Sequence, residues 1–112
     1  MKVTDYCGLT TGSKEDKSDF FDVFYRKLKT APMIAQCPLN FECSLDKIVD
    51  MDTHEIFVGE IMSTITEEKY LTAGKIDLKK VNPFILSFSD RSYFELGKPK
   101  AKAWNTGKNY KP

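Results

Sequence analysis

The sequence predicts a mainly β fold of antiparallel strands with one or two helices. Three observations predict it. Two alternating segments, Leu39-Asn-Phe-Glu-Cys-Ser-Leu45 and His54-Glu-Ile-Phe-Val-Gly-Glu-Ile-Met-Ser-Thr-Ile65, flank the short polar turn Asp50-Met-Asp-Thr53, which is the pattern of a β-hairpin. Phe84-Ile-Leu-Ser-Phe88 and Ser92-Tyr-Phe-Glu-Leu96 are a second pair of short strand candidates, separated by Ser89-Asp-Arg91. One stretch before the first hairpin, near residues 16–29, carries apolar side chains at helical spacing.

Taken in order, Thr10-Thr-Gly-Ser-Lys-Glu-Asp-Lys17 is polar and turn-like. An amphipathic helix is expected from about Asp16 to Lys29. Asp16 or Ser18 can cap it, Phe20, Phe24 and Leu28 recur every four residues, and Lys27 and Lys29 suit its carboxyl end. Pro32 and Pro38 make the following segment an extended connection. In the hairpin, expected over Leu39 to Val49 and His54 to Thr66, Phe41, Cys43 and Leu45 share one face and Asn40, Glu42 and Ser44 the other. Cys43 reads as core packing. The second strand is apolar on both faces, through Phe57, Ile61 and Ile65 on one and Ile56, Val58 and Met62 on the other, so it should be covered twice. Gly59 in mid-strand implies a close approach to its backbone, by a ligand or a β-bulge. Residues 66–83 read as a connection with one helical turn near Asp77 to Val81, ended by Pro83. The tail from Lys100 to Pro112 is basic and carries Trp104 and Tyr110.

With 112 residues, 41% hydrophobic and 12% aromatic, the chain suffices for a single domain over residues 1–112. Seventeen basic and sixteen acidic side chains leave a net charge of +1, so no global field invites nucleic acid or an anionic membrane. No apolar run approaches the roughly 20 residues of a spanning helix, and the amino terminus lacks a signal-peptide core. A soluble, cytoplasmic protein is expected. Cys7, Cys37 and Cys43 are odd in number and form no Cys-x-x-Cys pair; with His54 as the one histidine, neither a disulfide framework nor a metal site is expected. There is no glycine-lysine phosphate loop, no Gly-x-Gly-x-x-Gly and no Gly-x-Ser-x-Gly elbow. No catalytic residue can be named from the residues alone.

Seven motifs in order take the reading further. They are Asp5-Tyr-Cys-Gly8, Gly12-x-x-x-Asp16-Lys17, Ala31-Pro-Met-Ile34, Cys37-Pro-Leu-Asn-Phe-Glu-Cys43, His54-Glu-Ile-Phe-Val-Gly-Glu-Ile61, Tyr93-Phe-Glu-Leu-Gly97 and Gly107-Lys-Asn-Tyr110. From Asp5 onward the chain resembles flavoredoxin and related flavin reductase-like proteins, which are FMN-binding split β-barrels. The resemblance is to the carboxy-terminal part of such a protein, so the domain is expected to be incomplete at its amino terminus, without the family's opening strands.

The resemblance implies a set of cofactor-binding candidates. Lys17 matches the lysine of the family's Asp-Lys pair, where an ammonium can neutralise a phosphate or a reduced flavin; without the family it reads as a solvated lysine. His54 resembles the family histidine near the flavin or nicotinamide, and is otherwise a turn histidine. Tyr93 and Phe94 match an aromatic pair near the cofactor, and are otherwise strand core. Cys7 and Gly8 match the loop whose backbone amides meet the cofactor. Three readings follow. The first is a flavin reductase-like oxidoreductase in which FMN takes hydride from NADH or NADPH and passes electrons onward. The second is a flavoredoxin-type carrier that draws electrons from a redox partner protein, without NAD(P)H activity. The third is a shortened remnant that dimerises without flavin. Relatives imply a homodimer, and unpaired edges with a doubly apolar strand point the same way.

Overall fold

A computed structural model describes residues 1–111. The chain divides into two compact units, Met1–Tyr70 and Leu71–Pro112. The fold is mainly β, with antiparallel strands, two helices and two short 3-10 turns.

The first unit opens with helix α1, Lys2–Leu9, which no apolar period announced. A 3-10 turn, Lys17–Phe20, follows, capped by Asp16, whose carboxylate accepts the Ser18 N–H at 2.9 Å and the Ser18 hydroxyl at 2.6 Å. These bonds hold the Asp16 carboxyl below the usual range. The cap was expected; the helix beyond it is not there. In place of a helix from Asp16 to Lys29, the chain leaves the turn at Phe21 and forms strand β1, Val23–Phe24, antiparallel to β2, Met33–Ile34. The physical reason is capture by distant partners. The Asp22 N–H donates to Gln36 Oε1 at 3.1 Å, Gln36 returns a bond to Asp22 Oδ2 at 2.7 Å, and the Leu28 N–H donates to Glu42 Oε1 at 2.7 Å. Those contacts take backbone donors that a helix would need, and Val23 within an aromatic run favours a strand.

The hairpin forms as read, from β3, Leu39–Asp50, and β4, Glu55–Thr66. The pairing runs from Leu39 opposite Thr66 to Asp50 opposite Glu55, with register shifts between Glu42 and Cys43 and between Leu45 and Lys47. Asp52 takes the left-handed conformation at φ 61, and the Asp50 carboxylate accepts its N–H at 3.0 Å. At Gly59, a Cβ would lie 3.2 Å from the Cys43 Cβ and 3.3 Å from the Ser44 carbonyl oxygen. The close approach inferred there is made by the irregular neighbouring strand.

The faces are covered in the reverse of the expected order. Glu42 is fully buried and Asn40 and Ser44 are half-buried, whereas Phe41, Cys43 and Leu45 are exposed. Cys43 is therefore not core packing. The segment around Leu28 crosses the polar face of β3, and among the described residues Met33, 2% exposed, is the one buried hydrophobic side chain. β4 is exposed through Ile56, Phe57, Val58, Ile61 and Met62, on both faces.

The second unit holds two further hairpins. β5, Leu71–Thr72, pairs with β6, Lys75–Ile76. Helix α2, Leu78–Val81, is capped by Asp77 and closed by Asn82 at φ 48, in agreement with the helical turn expected there. β7, Phe84–Ser87, pairs with β8, Ser92–Glu95, around a turn in which Arg91 has φ 48.

Candidate functional site

The site is built where α1 ends and the Asp16-capped turn begins. The loop between them is closed from both sides. The Tyr6 hydroxyl donates to Glu15 Oε2 at 2.6 Å, a bond to a carboxylate that raises the phenol's pKa. The Tyr6 ring also meets Phe20 edge-on with centroids 5.7 Å apart. The Lys17 ammonium reaches back to the end of the helix, donating to the Cys7 carbonyl at 2.8 Å and the Thr10 carbonyl at 2.7 Å. A cation there satisfies carbonyls that lack helical partners and complements the negative end of the helix dipole. Lys17 is half-buried, and these two bonds use two of its three N–H donors.

Beside Lys17 lies a cleft of about 330 Å³ lined by Lys17, Ser18, Phe21, Val23, Tyr25, Pro32 and Ile34. Its walls come from the 3-10 turn, from β1, from β2 and from the residues beside them, so the strand that replaced the expected helix is what shapes it. The volume falls at the small end of the roughly 300–1,000 Å³ of ligand pockets. Two aromatic rings, three aliphatic side chains, one cation and the Ser18 hydroxyl suit a flat conjugated ring with a polar or anionic edge.

Of the sequence candidates, Lys17 and Cys7 come together through the Cys7 backbone carbonyl, but Cys7 and Gly8 lie within helix α1 rather than in the loop expected there, so their amides belong to the helix. His54 lies at the tip of the long hairpin, where its Nδ1 pairs with the Thr53 hydroxyl at 2.6 Å and its carbonyl accepts the Met51 N–H at 2.8 Å. Tyr93 and Phe94 are neighbours on β8 in the second unit, and consecutive strand positions put them on opposite faces. Tyr93 packs edge-on against Phe84 at 5.4 Å and is half-buried, while Phe94 is exposed. Phe21 and Tyr25 lie within the segment for which a helix is expected, so the sequence does not mark them as walls of a cleft. The signal that points to them is the run Phe20-Phe-Asp-Val-Phe-Tyr25, in which a β-branched residue sits among aromatics.

A family model described as the flavin reductase like domain matches residues 1–97. The chain belongs to the flavin reductase-like family. A crystal structure of flavoredoxin from Methanosarcina acetivorans is similar to it at 50% identity with a TM-score of 0.91, over 96% of this chain and 57% of that one. Flavoredoxin of Desulfovibrio vulgaris (Miyazaki F) is similar at 31% identity with a TM-score of 0.86, over 96% of this chain and 59% of that one. An uncharacterized protein of Archaeoglobus fulgidus is 35% identical over 74 residues, which are 63% of this chain and 41% of that protein. This flavin reductase-like chain thus spans less than two thirds of the length of each of these relatives. Among its described residues, no helix is long and apolar enough to cross a membrane.

Proposed function

We propose that this chain is a cytoplasmic FMN-binding electron-transfer protein of flavin reductase type, with the cleft beside Lys17 holding part of the flavin. When bound, FMN would supply hydride acceptance from NADH or NADPH and transfer of electrons to an acceptor. The observation that carries the reading is Lys17, which lines an aromatic cleft and whose ammonium is fixed by two carbonyls with one donor left to give. That donor suits a phosphate or the polar edge of the ring. Phe21 and Tyr25 offer aromatic surface to the ring, Pro32 and Ile34 exclude water, and the Ser18 hydroxyl, which donates to Asp16, retains lone pairs to accept a hydrogen bond.

A second reading, a flavoredoxin-type carrier without NAD(P)H activity, is favoured by the names of both solved relatives, each a flavoredoxin. Absorbance spectroscopy of the purified protein tests both. Flavin bands in the visible support binding, and their bleaching by NADH or NADPH without air supports the reductase. Bands that persist until a reduced carrier protein is added support the second reading, and a chain that takes up no FMN on titration removes both.

We further propose a homodimer. β4 is apolar and exposed on both faces, and its outer edge has no neighbouring strand in the described residues. A second copy would cover such a surface by a symmetric contact.

A further inference from the structure

The charge of this chain is divided unevenly along its length. Five lysines and no acid follow Gly97, which leaves twelve basic against sixteen acidic side chains, a net charge of −4, in residues 1–97. Lys98, Lys100 and Lys102 stand at alternate positions around Pro99, outside any helix or strand, which concentrates three ammonium groups within five residues. Among the described residues, none of Lys98, Lys100, Lys102, Lys108 and Lys111 enters an ion pair or a side-chain hydrogen bond. A separate observation lies within the same segment. The turns at 103–109 are held by the Thr106 N–H and hydroxyl, both donating to the Lys102 carbonyl at 3.2 and 2.9 Å. Trp104 sits among them at φ 55 and is 95% exposed. A left-handed conformation is unfavourable for an L residue, and an indole left in water forgoes its burial. Both costs fall on the side chain that most often anchors protein interfaces.

We propose that residues 98–111 form a docking arm for an acidic electron-carrier protein, with the lysines steering it and Trp104 as the apolar anchor. The proposal rests on the electron-transfer reading above. Five lysines without an acid give the arm a charge complementary to an acidic surface, and the electron-transfer reading makes a redox protein, rather than duplex DNA or an anionic membrane, the partner with a use for it. Redox encounters use small, charge-steered interfaces. The arm has no arginine, the residue favoured for bidentate reading of phosphates and bases.

The test measures binding of the full chain to a small acidic [2Fe–2S] ferredoxin at two ionic strengths. Binding that weakens with salt is expected. Reversing three arm lysines, K98E/K100E/K102E, should weaken it on the order of tenfold, and W104A should weaken it further. The control K14E/K47E/K75E carries the same net charge and should hold within about twofold at moderate salt, where distant charges are screened. Equal loss in both triples overturns the arm as the site, as does the absence of salt-sensitive binding. Tighter binding to duplex DNA or to phosphatidylserine vesicles at the same ionic strength overturns the acidic protein as its occupant. Flavin absorbance is read on the same samples, so a chain without flavin that still binds through the arm sinks the cofactor reading alone.

Discussion

Glu42 and Ser63 face each other across the long hairpin, with the Ser63 hydroxyl donating to Glu42 Oε2 at 2.5 Å. The other carboxylate oxygen takes the Leu28 N–H at 2.7 Å. One buried side chain thus ties the hairpin, near its open end, to the segment that leads from Tyr25 to Pro32, both of which line the cleft. It sits at a register shift, where the ladder alone would leave the strand least constrained.

Removing that carboxylate should loosen the segment. Glu42→Ala strands the Leu28 N–H and the Ser63 hydroxyl, and is expected to lower the melting temperature on the order of 10 °C by circular dichroism. Trypsin should then cut faster after Arg26, Lys27 and Lys29. Glu42→Gln should do less harm, because an amide oxygen still accepts from Leu28 and the hydroxyl can turn to accept from the amide nitrogen.

The same contacts set an acid limit. The Ser63 hydroxyl, then the Leu28 N–H, holds the Glu42 carboxyl below its ordinary value of 4.5. A group whose folded pKa is depressed contributes stability that is complete above the unfolded value and is lost as pH falls through the folded one. Stability should therefore be level above about pH 5 and fall below about 4.5. Part of that slope should vanish in Glu42→Gln. An unchanged slope would assign acid loss to other carboxylates, Asp16 and Asp77 among them.

Lys17→Ala is expected to weaken FMN by about 1–3 kcal/mol, the scale of a lost charge-assisted hydrogen bond. Because the ammonium also closes α1, amide exchange at residues 8–10 should quicken in the same variant. Fluorescence titration with FMN checks the first effect, and unchanged affinity returns Lys17 to a purely structural role.

Gly59→Val should destabilise the hairpin by about 1–3 kcal/mol through overpacking. The new Cβ meets the Cys43 Cβ and the Ser44 carbonyl, and neither is the free end of a flexible side chain. Urea denaturation reads this directly, and a neutral result would show that the register shift can move.

The hairpin was legible because its signal is local: period-two alternation and a turn rich in Asp. The segment at residues 17–29 was not, because its structure is decided by Gln36 and Glu42, many positions away, and Phe20, Phe24 and Leu28 fit a helical period by coincidence of spacing. α1 carries no apolar stripe and buries nothing, so no periodicity announces it, and the motif around Asp5 to Gly8 reads as a loop. Lys17 could be singled out through the family motif, but its carbonyl partners depend on a helix that was not foreseen. Phe21 and Tyr25 were hidden by the same mistaken period.

Cys43 makes the exposed face of the hairpin a surface that reports its own occupancy. Its thiol stands in the open on the apolar side, against Gly59, and Cys37 is exposed at a different place, before the strand begins. An alkylating reagent therefore meets two exposed thiols of unlike surroundings in one molecule, beside the half-buried Cys7. Whatever settles on the apolar face shields the first, while the second supplies an internal clock for the reagent. The ratio of the two labelling rates, followed against protein concentration, counts how much of the population has that face closed without any added probe.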